Sequence, residues 1–280
     1  MHATGLRRIV LCADDYGMAP GVNEAIRDLI ARGRLNATSA MVVAPSLTGT
    51  DAAALADLKR SRPKLQIGLH FTLTAPFRPA SDSYAPLKSN AFLPLPATLG
   101  RALIGRLDRA RIAQELRAQI GAFSQRFGFL PDYVDGHQHV QIFPQIRDAA
   151  LSVMRDMLPG AWIRQCGRVT PLATRLADRK GLLLDTMSRG FRKRAAAAGV
   201  GYNPAFAGAY DFGSSPDFAV LFPKFLQELP GQSVVMCHPG FVDDELKALD
   251  PLTNLREREY AYFASDDFPN VLREHRVTLS

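Results

Sequence analysis

The sequence predicts an α/β fold built on one parallel sheet or barrel, and two observations carry that prediction. Short apolar runs typical of buried strands alternate along the chain with segments whose apolar residues recur at helical spacing. The 280 residues also show no internal repeat and no low-complexity linker. Because α/β barrels of about 250 residues commonly form one unit, we predict a single domain over residues 1–280.

The predicted strands are apolar runs that stop abruptly at polar or turn residues. The first, residues 8–13, ends at the acidic pair Asp14 and Asp15. The later strands are predicted at residues 37–44, 65–73, 133–140, 162–164 and 233–237, with a short apolar run at 276–279.

The predicted helices lie between these strands, and Gly33 is placed to end the first of them. Residues 74–100 break the alternation with five prolines, which predicts a long loop over the rim of the sheet. A loop of that length in a compact domain is more often functional than idle. The helices are predicted at residues 20–32, 51–60, 109–127, 143–157, 172–198, 217–229 and 255–264.

Composition excludes several classes of protein. Hydrophobic residues make up 47% and charged residues 22%, which excludes a disordered chain. No apolar run approaches the roughly 18 residues of a membrane span, and the first residues lack the pattern of a signal peptide. Three cysteines argue against a disulfide framework. We therefore expect a cytoplasmic protein without a membrane span.

The net charge of +7 raises the question of an anionic partner. Residues 101–200 carry 17 basic and 8 acidic side chains, a net of +9, whereas residues 201–280 carry 6 and 12, a net of −6. Basic helices of this kind are usually solvated faces, and no nucleic-acid-binding motif accompanies them. We predict no nucleic-acid partner.

Polar residues collect at the ends of the predicted strands. Parallel α/β folds place their active sites at the carboxyl ends of strands, so these side chains are expected to meet at one rim. Taken singly, an Asp pair is typical of a turn, and one His in an apolar strand is typical of a satisfied core residue. The residues at strand ends are Asp14, Asp15, His70, Asp135, His137, His139 and His238.

The segment Asp-Gly-His-Gln-His at residues 135–139 is the most informative of these strand ends. In a strand that continued to residue 140, His137 and His139 would point to one side and Gln138 to the other. Two imidazoles beside a carboxylate suit Zn²⁺ or another divalent ion, although water alone could also satisfy a polar strand end. Together, the four strand ends favour a metal site.

Cysteine nucleophilic catalysis fits this sequence less well. Cys237 and His238 are adjacent in a strand and would face opposite sides, which excludes a thiolate–imidazole pair. A nucleophile elbow, a P-loop and a dinucleotide-binding fingerprint are also absent from the sequence.

As a set, the strand-end motifs resemble the YdjC-like carbohydrate deacetylases, a family that includes chito-oligosaccharide and hopanoid-associated deacetylases. They occur in that family's order and span residues 8–240. The motifs are Ala-Asp-Asp-Tyr-Gly-Met at 13–18, Asn-Glu-Ala-Ile at 23–26, Gly-Leu-His-Phe-Thr-Leu-Thr at 68–74, Asp-Gly-His-Gln-His-Val at 135–140 and Met-Cys-His-Pro-Gly at 236–240.

The resemblance implies a distorted TIM-like (β/α) barrel and a metal-dependent hydrolase that removes acetyl groups from N-acetylated sugars. It implies Asp15, His70 and His137 as ligands of one divalent ion. It further implies a homodimer, because members of the family are commonly homodimers.

The remaining site residues receive roles by the same resemblance. Asp14 matches the general base, His238 the general acid, and His139 a substrate-binding or ligand-supporting position. We add Tyr16 and Arg164 as substrate-binding residues. Members often carry a histidine where Gln141 stands here, so a substrate contact at that position would alter specificity.

Two questions stay open on the sequence alone. The ion is Zn²⁺ or Mg²⁺: two histidines favour zinc, whereas Mg²⁺ prefers oxygen ligands. The alternative functions are a metal-dependent phosphoesterase, which more often needs two metals and bridging carboxylates, and a non-catalytic sugar-binding protein on the same scaffold.

Overall fold

The computed structural model describes residues 5–168, 179–212 and 217–280, and its strands follow the predicted alternation. Apolar, fully buried runs form the longer strands, as expected for a parallel sheet covered on both faces. The strands are β1 (Arg7–Arg8), β2 (Val10–Tyr16), β3 (Ala37–Ala40), β4 (Gln66–Phe71), β5 (Tyr133–Gly136), β6 (Trp162–Ile163), β7 (Gly201–Tyr202), β8 (Phe206–Ala207), β9 (Val234–Cys237) and β10 (Val277–Thr278).

The helices lie between the strands and begin at recognisable caps. Asp108 accepts hydrogen bonds from the first free N–H groups of α4, and Gly128 ends that helix in the left-handed region, so its predicted range is confirmed. The helices are α1 (Pro20–Ala31), α2 (Gly49–Ser61), α3 (Leu95–Leu103), α4 (Arg109–Phe127), α5 (Pro144–Met157), α6 (Arg179–Ala198), α7 (Phe218–Leu226), α8 (Asp244–Leu249), α9 (Asn254–Ala264) and α10 (Asp267–Glu274), with a 3₁₀ helix at His137–Ile142.

Eight strands form one curled parallel sheet in the order β7-β6-β5-β4-β3-β2-β9-β8. The order follows the chain around a barrel, except that β7 and β8 are edge strands separated by only three residues. The strands β7 and β8 are not paired with each other, and the N–H of Phe206 in β8 instead donates to the carbonyl of Gly167, in the segment that follows β6, at 3.1 Å. The predicted distorted TIM-like barrel is therefore confirmed, and the distortion is this opening.

The structure corrects several predicted boundaries. The strand predicted at 133–140 ends at Gly136, because the chain turns into the 3₁₀ helix there. The loop predicted at 74–100 ends earlier, since α3 begins at Leu95. Residues 172–178 of the predicted helix 172–198 lie outside the described residues, and α6 occupies the rest.

Two-residue strands and short helices account for the elements that periodicity missed. The strands β7 and β8 are too short to show an alternating pattern, and α8 and α10 span only six and eight residues. Among the residues described, none of the helices is both long enough and apolar enough to span a bilayer.

Gly68 of β4 is a position where the packing of the barrel can be tested. A Cβ there would overlap the ring of Tyr133, which is stacked on Trp162 at 4.4 Å and cannot withdraw easily. We expect Gly68→Ala to lower the free energy of unfolding by about 1–3 kcal/mol, measured by urea titration. The control is Gly121→Ala in α4, where a Cβ meets nothing within 4 Å. It should stabilise by about 0.5–1 kcal/mol, and equal effects of the two variants would contradict this packing argument.

Candidate active site

The carboxyl end of β2 brings two adjacent aspartates to the inside of the barrel. In a regular strand Asp14 and Asp15 would face opposite sides. Here the register with β3 shifts between Ala13 and Tyr16, and Asp15 adopts a left-handed φ of 71°. This β-bulge re-aims one carboxylate, so that both side chains are buried at the centre of the site.

Asp15, His70 and His137 converge as the resemblance implied. Oδ1 of Asp15 lies 3.2 Å from Nε2 of His70 and 3.1 Å from Nδ1 of His137. One candidate ligand atom from each of the three residues lies within 4.8 Å of the others, and all three residues are buried. One carboxylate and two imidazoles form a donor set that fits Zn²⁺.

Asp135 orients the imidazole of His70. Its Oδ1 lies 2.7 Å from Nδ1 of His70, and the hydroxyl of Ser39 lies 3.0 Å from the same nitrogen. Nε2 is thereby left facing Asp15, the arrangement that metal-binding histidines commonly show. Burial lowers the pKa of His70, but Asp135, Asp14 and Asp15 together raise it to about 10. These carboxylates create a negative potential that attracts a cation.

Asp14 is held by Arg164 rather than by the histidines. The two guanidinium nitrogens NH1 and NH2 donate to its two carboxylate oxygens at 2.6 and 2.7 Å. Burial, the largest single influence, raises the pKa of Asp14, but the charge and hydrogen bonds of Arg164, together with the charges of His70 and His238, hold that pKa well below the ordinary value of 3.8. Asp14 is therefore ionised at neutral pH. Its Oδ1 also lies 3.4 Å from the sulfur of Cys12 and 3.5 Å from the hydroxyl of Ser39, whereas Oδ2 has Arg164 as its one hydrogen-bond partner among the described residues.

Cys12, Asp14 and Asp135 form a second group of possible metal ligands among the described residues. NH2 of Arg164 lies 3.0 Å from the sulfur of Cys12 and 2.5 Å from Oδ2 of Asp135. The guanidinium thus already provides this group with a positive charge. Burial raises the pKa of the Cys12 thiol, which keeps it protonated and a poor ligand.

The segment after β5 reaches the site through a tight turn and not through a strand. Gly136 allows the turn, because a Cβ there would lie 2.5 Å from Oε1 of Gln141. Gln138 and His139 both have left-handed backbones, so the expectation that a strand aligns His137 and His139 was wrong. His137 still reaches Asp15, whereas the ring of His139 packs edge-on against Phe206 at 5.4 Å.

His139 and His238 each have a buried Nδ1 without a hydrogen-bond partner among the described residues. Burial, followed by the charge of Arg164, lowers the pKa of His139 to about 3, so its imidazole is neutral. His238 follows β9, whose register pairs Cys237 with Ala13 and so sets His238 beside Asp14. Its ring lies edge-on to Phe212 at 5.6 Å.

Three residues do not occupy the positions that a substrate contact requires. Arg164 is fully buried beneath Asp14 and Asp135. The hydroxyl of Tyr16 donates to the carbonyl of Asp51 at 2.7 Å, on the side of α2. Gln141 is buried and donates to the carbonyl of Arg164 at 3.1 Å. Each is in place to support the structure around the site.

The loop between β4 and α3 covers one side of the site. Phe77 is buried and packs edge-on against His137 at 5.7 Å. The loop is held to α4 by the buried Glu115, which accepts the N–H groups of Ala80 and Ser81, each at 2.9 Å. The predicted rim loop thus contributes an apolar contact next to a metal-ligand candidate.

Sequence reasoning missed two site residues on α9. Arg256 donates to Oδ2 of Asp15 at 2.7 Å, and Glu259 accepts the backbone N–H of His238 at 2.6 Å. The segment has the composition of a solvated charged helix, yet both side chains are buried. The available signal was their spacing: they lie three residues apart, on the face that also carries Leu255 and Tyr262.

Comparisons with known proteins identify the family and support the fold. A family model described as YdjC-like protein matches residues 8–274. Chitooligosaccharide deacetylases of Yersinia pestis (strain Pestoides F) and Yersinia pseudotuberculosis (serotype O:1b, strain IP 31758) are each 30% identical over 243 residues, 85% of this chain and 83% of theirs. A crystal structure from Enterococcus faecalis V583, of a protein assigned provisionally to cellobiose-phosphate cleavage, has a TM-score of 0.72 and 20% identity. It covers 98% of this chain and 97% of that chain, and supports the fold alone.

The Asp14–Arg164 pair predicts a pH dependence of stability. Because the folded chain holds the pKa of Asp14 below 3.8, the pair's contribution is complete above the unfolded-state pKa and is lost as pH falls below it. At pH 7 we expect Asp14→Asn to be less stable than the wild type by about 3 kcal/mol in urea titrations of metal-free protein.

That difference should shrink as the pH falls below about 4. The exposed Asp82→Asn is the control and should match the wild type at every pH. A difference between Asp14→Asn and the wild type that stayed constant down to pH 3 would contradict the assignment.

Proposed function

The chain belongs to the YdjC-like family, and from that premise we propose that it is a metal-dependent carbohydrate N-deacetylase. It would hydrolyse the amide bond of an N-acetylated sugar and release acetate and a free amine. The substrate class is a chito-oligosaccharide or another glycan or glycolipid that contains N-acetylglucosamine. The deacetylase names of the Yersinia relatives support this class.

One observation carries the proposal: Asp15, His70 and His137 converge, and a separate ionised carboxylate, Asp14, lies beside them. Amide hydrolysis needs an activated water, a polarised carbonyl and a proton for the leaving amine. The cluster supplies a place for a divalent ion, and Asp14 supplies a base that is not consumed as a ligand.

The residues of the cluster fit the ion on chemical grounds. Asp15, His70 and His137 would hold it, and Asp135 fixes the His70 nitrogen that faces it. When bound, such an ion supplies Lewis acidity, which lowers the pKa of water and polarises the acetyl carbonyl. The two imidazoles favour Zn²⁺ over Mg²⁺.

Protein side chains perform the proton transfers in this proposal. Asp14 takes a proton from the attacking water, and Arg164 fixes its orientation and keeps it ionised. His238, which follows the neighbouring strand β9, gives a proton to the leaving nitrogen. Arg164 is thus reassigned from substrate binding to positioning of the base. His139 remains the candidate for a substrate contact, and the homodimer stays a prediction.

Acetate release tests this activity directly. We expect the wild type, incubated with a divalent metal, to release acetate from short chitin oligomers or N-acetylglucosamine lipids and to lose that activity in EDTA. Asp14→Asn and His238→Ala should each lower kcat by about 10²- to 10⁴-fold, the usual contribution of general acid–base catalysis.

The exposed Asp82→Asn is the matched control and should keep wild-type turnover. No acetate from any of these substrates would refute the deacetylase. Unchanged turnover in both site variants on a verified substrate would refute the assignment of Asp14 and His238.

Metal content separates the deacetylase from a phosphoesterase. Arg164 already places a positive charge between Asp14 and Asp135 in the group of Cys12, Asp14 and Asp135, which supports one ion per chain rather than two. Elemental analysis of protein dialysed against ZnCl₂ should therefore give a ratio near one. Replacing His70 by Ala should abolish that binding, whereas two ions per chain would favour the phosphoesterase.

A further inference from the structure

Helix α9 carries two buried charged side chains one turn apart, Arg256 and Glu259, and each has about 1% of its surface exposed. Buried charges are costly unless they are paired and hydrogen-bonded, so their partners show what the pair does. Both residues form hydrogen bonds with residues outside α9, at the carboxyl ends of barrel strands.

Arg256 binds the carboxylate that ends β2. Its NH2 group lies 2.7 Å from Oδ2 of Asp15 and 2.5 Å from Oδ2 of Asp250, and its Nε donates to the carbonyl of Leu252 at 3.0 Å. Asp15 therefore uses Oδ2 for Arg256 and turns Oδ1 toward the two histidines. Arg256 determines which oxygen of Asp15 faces the cluster.

Glu259 binds the segment that follows β9. Its Oε2 accepts the backbone N–H of His238 at 2.6 Å, and its Oε1 accepts the hydroxyl of Tyr210, also at 2.6 Å. The ring of Tyr210 packs on Phe212, which in turn lies edge-on to the imidazole of His238. The carboxylate of Glu259 thus holds the backbone of His238 and, through the hydroxyl of Tyr210, supports the Phe212 ring that packs against its imidazole.

We propose that α9 is the positioning helix of the site, which sets the carboxylate of Asp15 through Arg256 and the imidazole of His238 through Glu259. A helix is rigid over one turn, so the two contacts fix the separation of the metal-ligand cluster from the proton donor. Arg256 and Glu259 are positioning residues, and this inference rests on the proposed function of the site.

Variants of Glu259 test the half of the proposal that concerns His238. Glu259→Ala should lower kcat for acetate release by about 10- to 100-fold, with KM and bound zinc as in the wild type. Glu259→Gln should retain more turnover, because its amide can accept from His238 and donate to the hydroxyl oxygen of Tyr210.

The matched control for these variants is Glu257→Ala. Glu257 lies on the same helix and also accepts a backbone N–H, from Val242 at 3.2 Å, but it is exposed. This control should leave kcat, KM and zinc content unchanged. If Glu259→Ala does not fold, Tyr210→Phe removes one contact to Glu259 and should lower kcat at constant KM.

Arg256→Lys tests the proposed contact between Arg256 and Asp15, and its effect is measured by zinc binding, which does not require an active enzyme. Lysine keeps the charge but loses the Nε–H bond to the carbonyl of Leu252, which orients the guanidinium toward Asp15, so zinc affinity measured by calorimetric titration should fall about 10- to 100-fold. Glu259→Gln should keep wild-type zinc affinity in the same titration. Separate effects on metal binding and on turnover are the signature of two positioning contacts.

The outcomes distinguish this inference from the deacetylase proposal. A wild type that releases no acetate refutes the deacetylase, and the zinc titration of Arg256→Lys still decides the role of Arg256. An active wild type together with unchanged kcat in Glu259→Ala or, where that variant does not fold, in Tyr210→Phe overturns the role of Glu259 alone. Loss of zinc in both Glu259 variants also overturns it, because the helix would then act on the site as a whole.

Discussion

Three buried carboxylates, those of Asp14, Asp15 and Asp135, set the constraint on which the rest of this site depends. Carboxylates removed from water must be compensated by positive charge or hydrogen bonds, or they become protonated. The chain answers with two buried arginines, Arg164 and Arg256, each shared between a site aspartate and a second carboxylate. The arginines leave the oxygens that face His70 and His137 for a cation.

This distribution of charge assigns different chemistry to two neighbouring residues of one strand. Asp14 has both oxygens on Arg164, whereas Asp15 shares one oxygen with Arg256 and presents the other to the imidazoles. The bulge at Asp15 makes this division possible, because without it the two side chains would lie on opposite faces. A backbone irregularity of one residue thus separates the proposed base from the proposed ligand.

The site also shows why distant parts of the chain are needed to complete it. The ligand candidates come from β2, β4 and the turn after β5, whereas the groups that orient them come from β3, β5 and α9. Arg164, in the segment after β6, orients Asp14. The loop before α3 then adds Phe77 against His137. Supporting residues of this kind affect a site by fixing the geometry of the groups that react.

The sequence by itself determined the α/β alternation and the set of strand-end aspartates and histidines, and its family resemblance implied the barrel. Apolar runs and helical spacing are local patterns, and parallel strands bring their carboxyl ends to one edge wherever the helices lie. Strand alternation does not predict where a strand ends. In the 133–140 segment it predicted that His137 and His139 share a face, but the chain turns after Gly136.

Only the tertiary structure decided which partners the charged residues have. The sequence suggested a substrate contact for Arg164 and a solvated charged helix around Arg256, yet both side chains are buried and paired with carboxylates. Their partners lie 150 and 241 residues away along the chain. Pairing at that separation depends on how the strands curl into the barrel, so local spacing can indicate that a residue is buried but does not identify its partner.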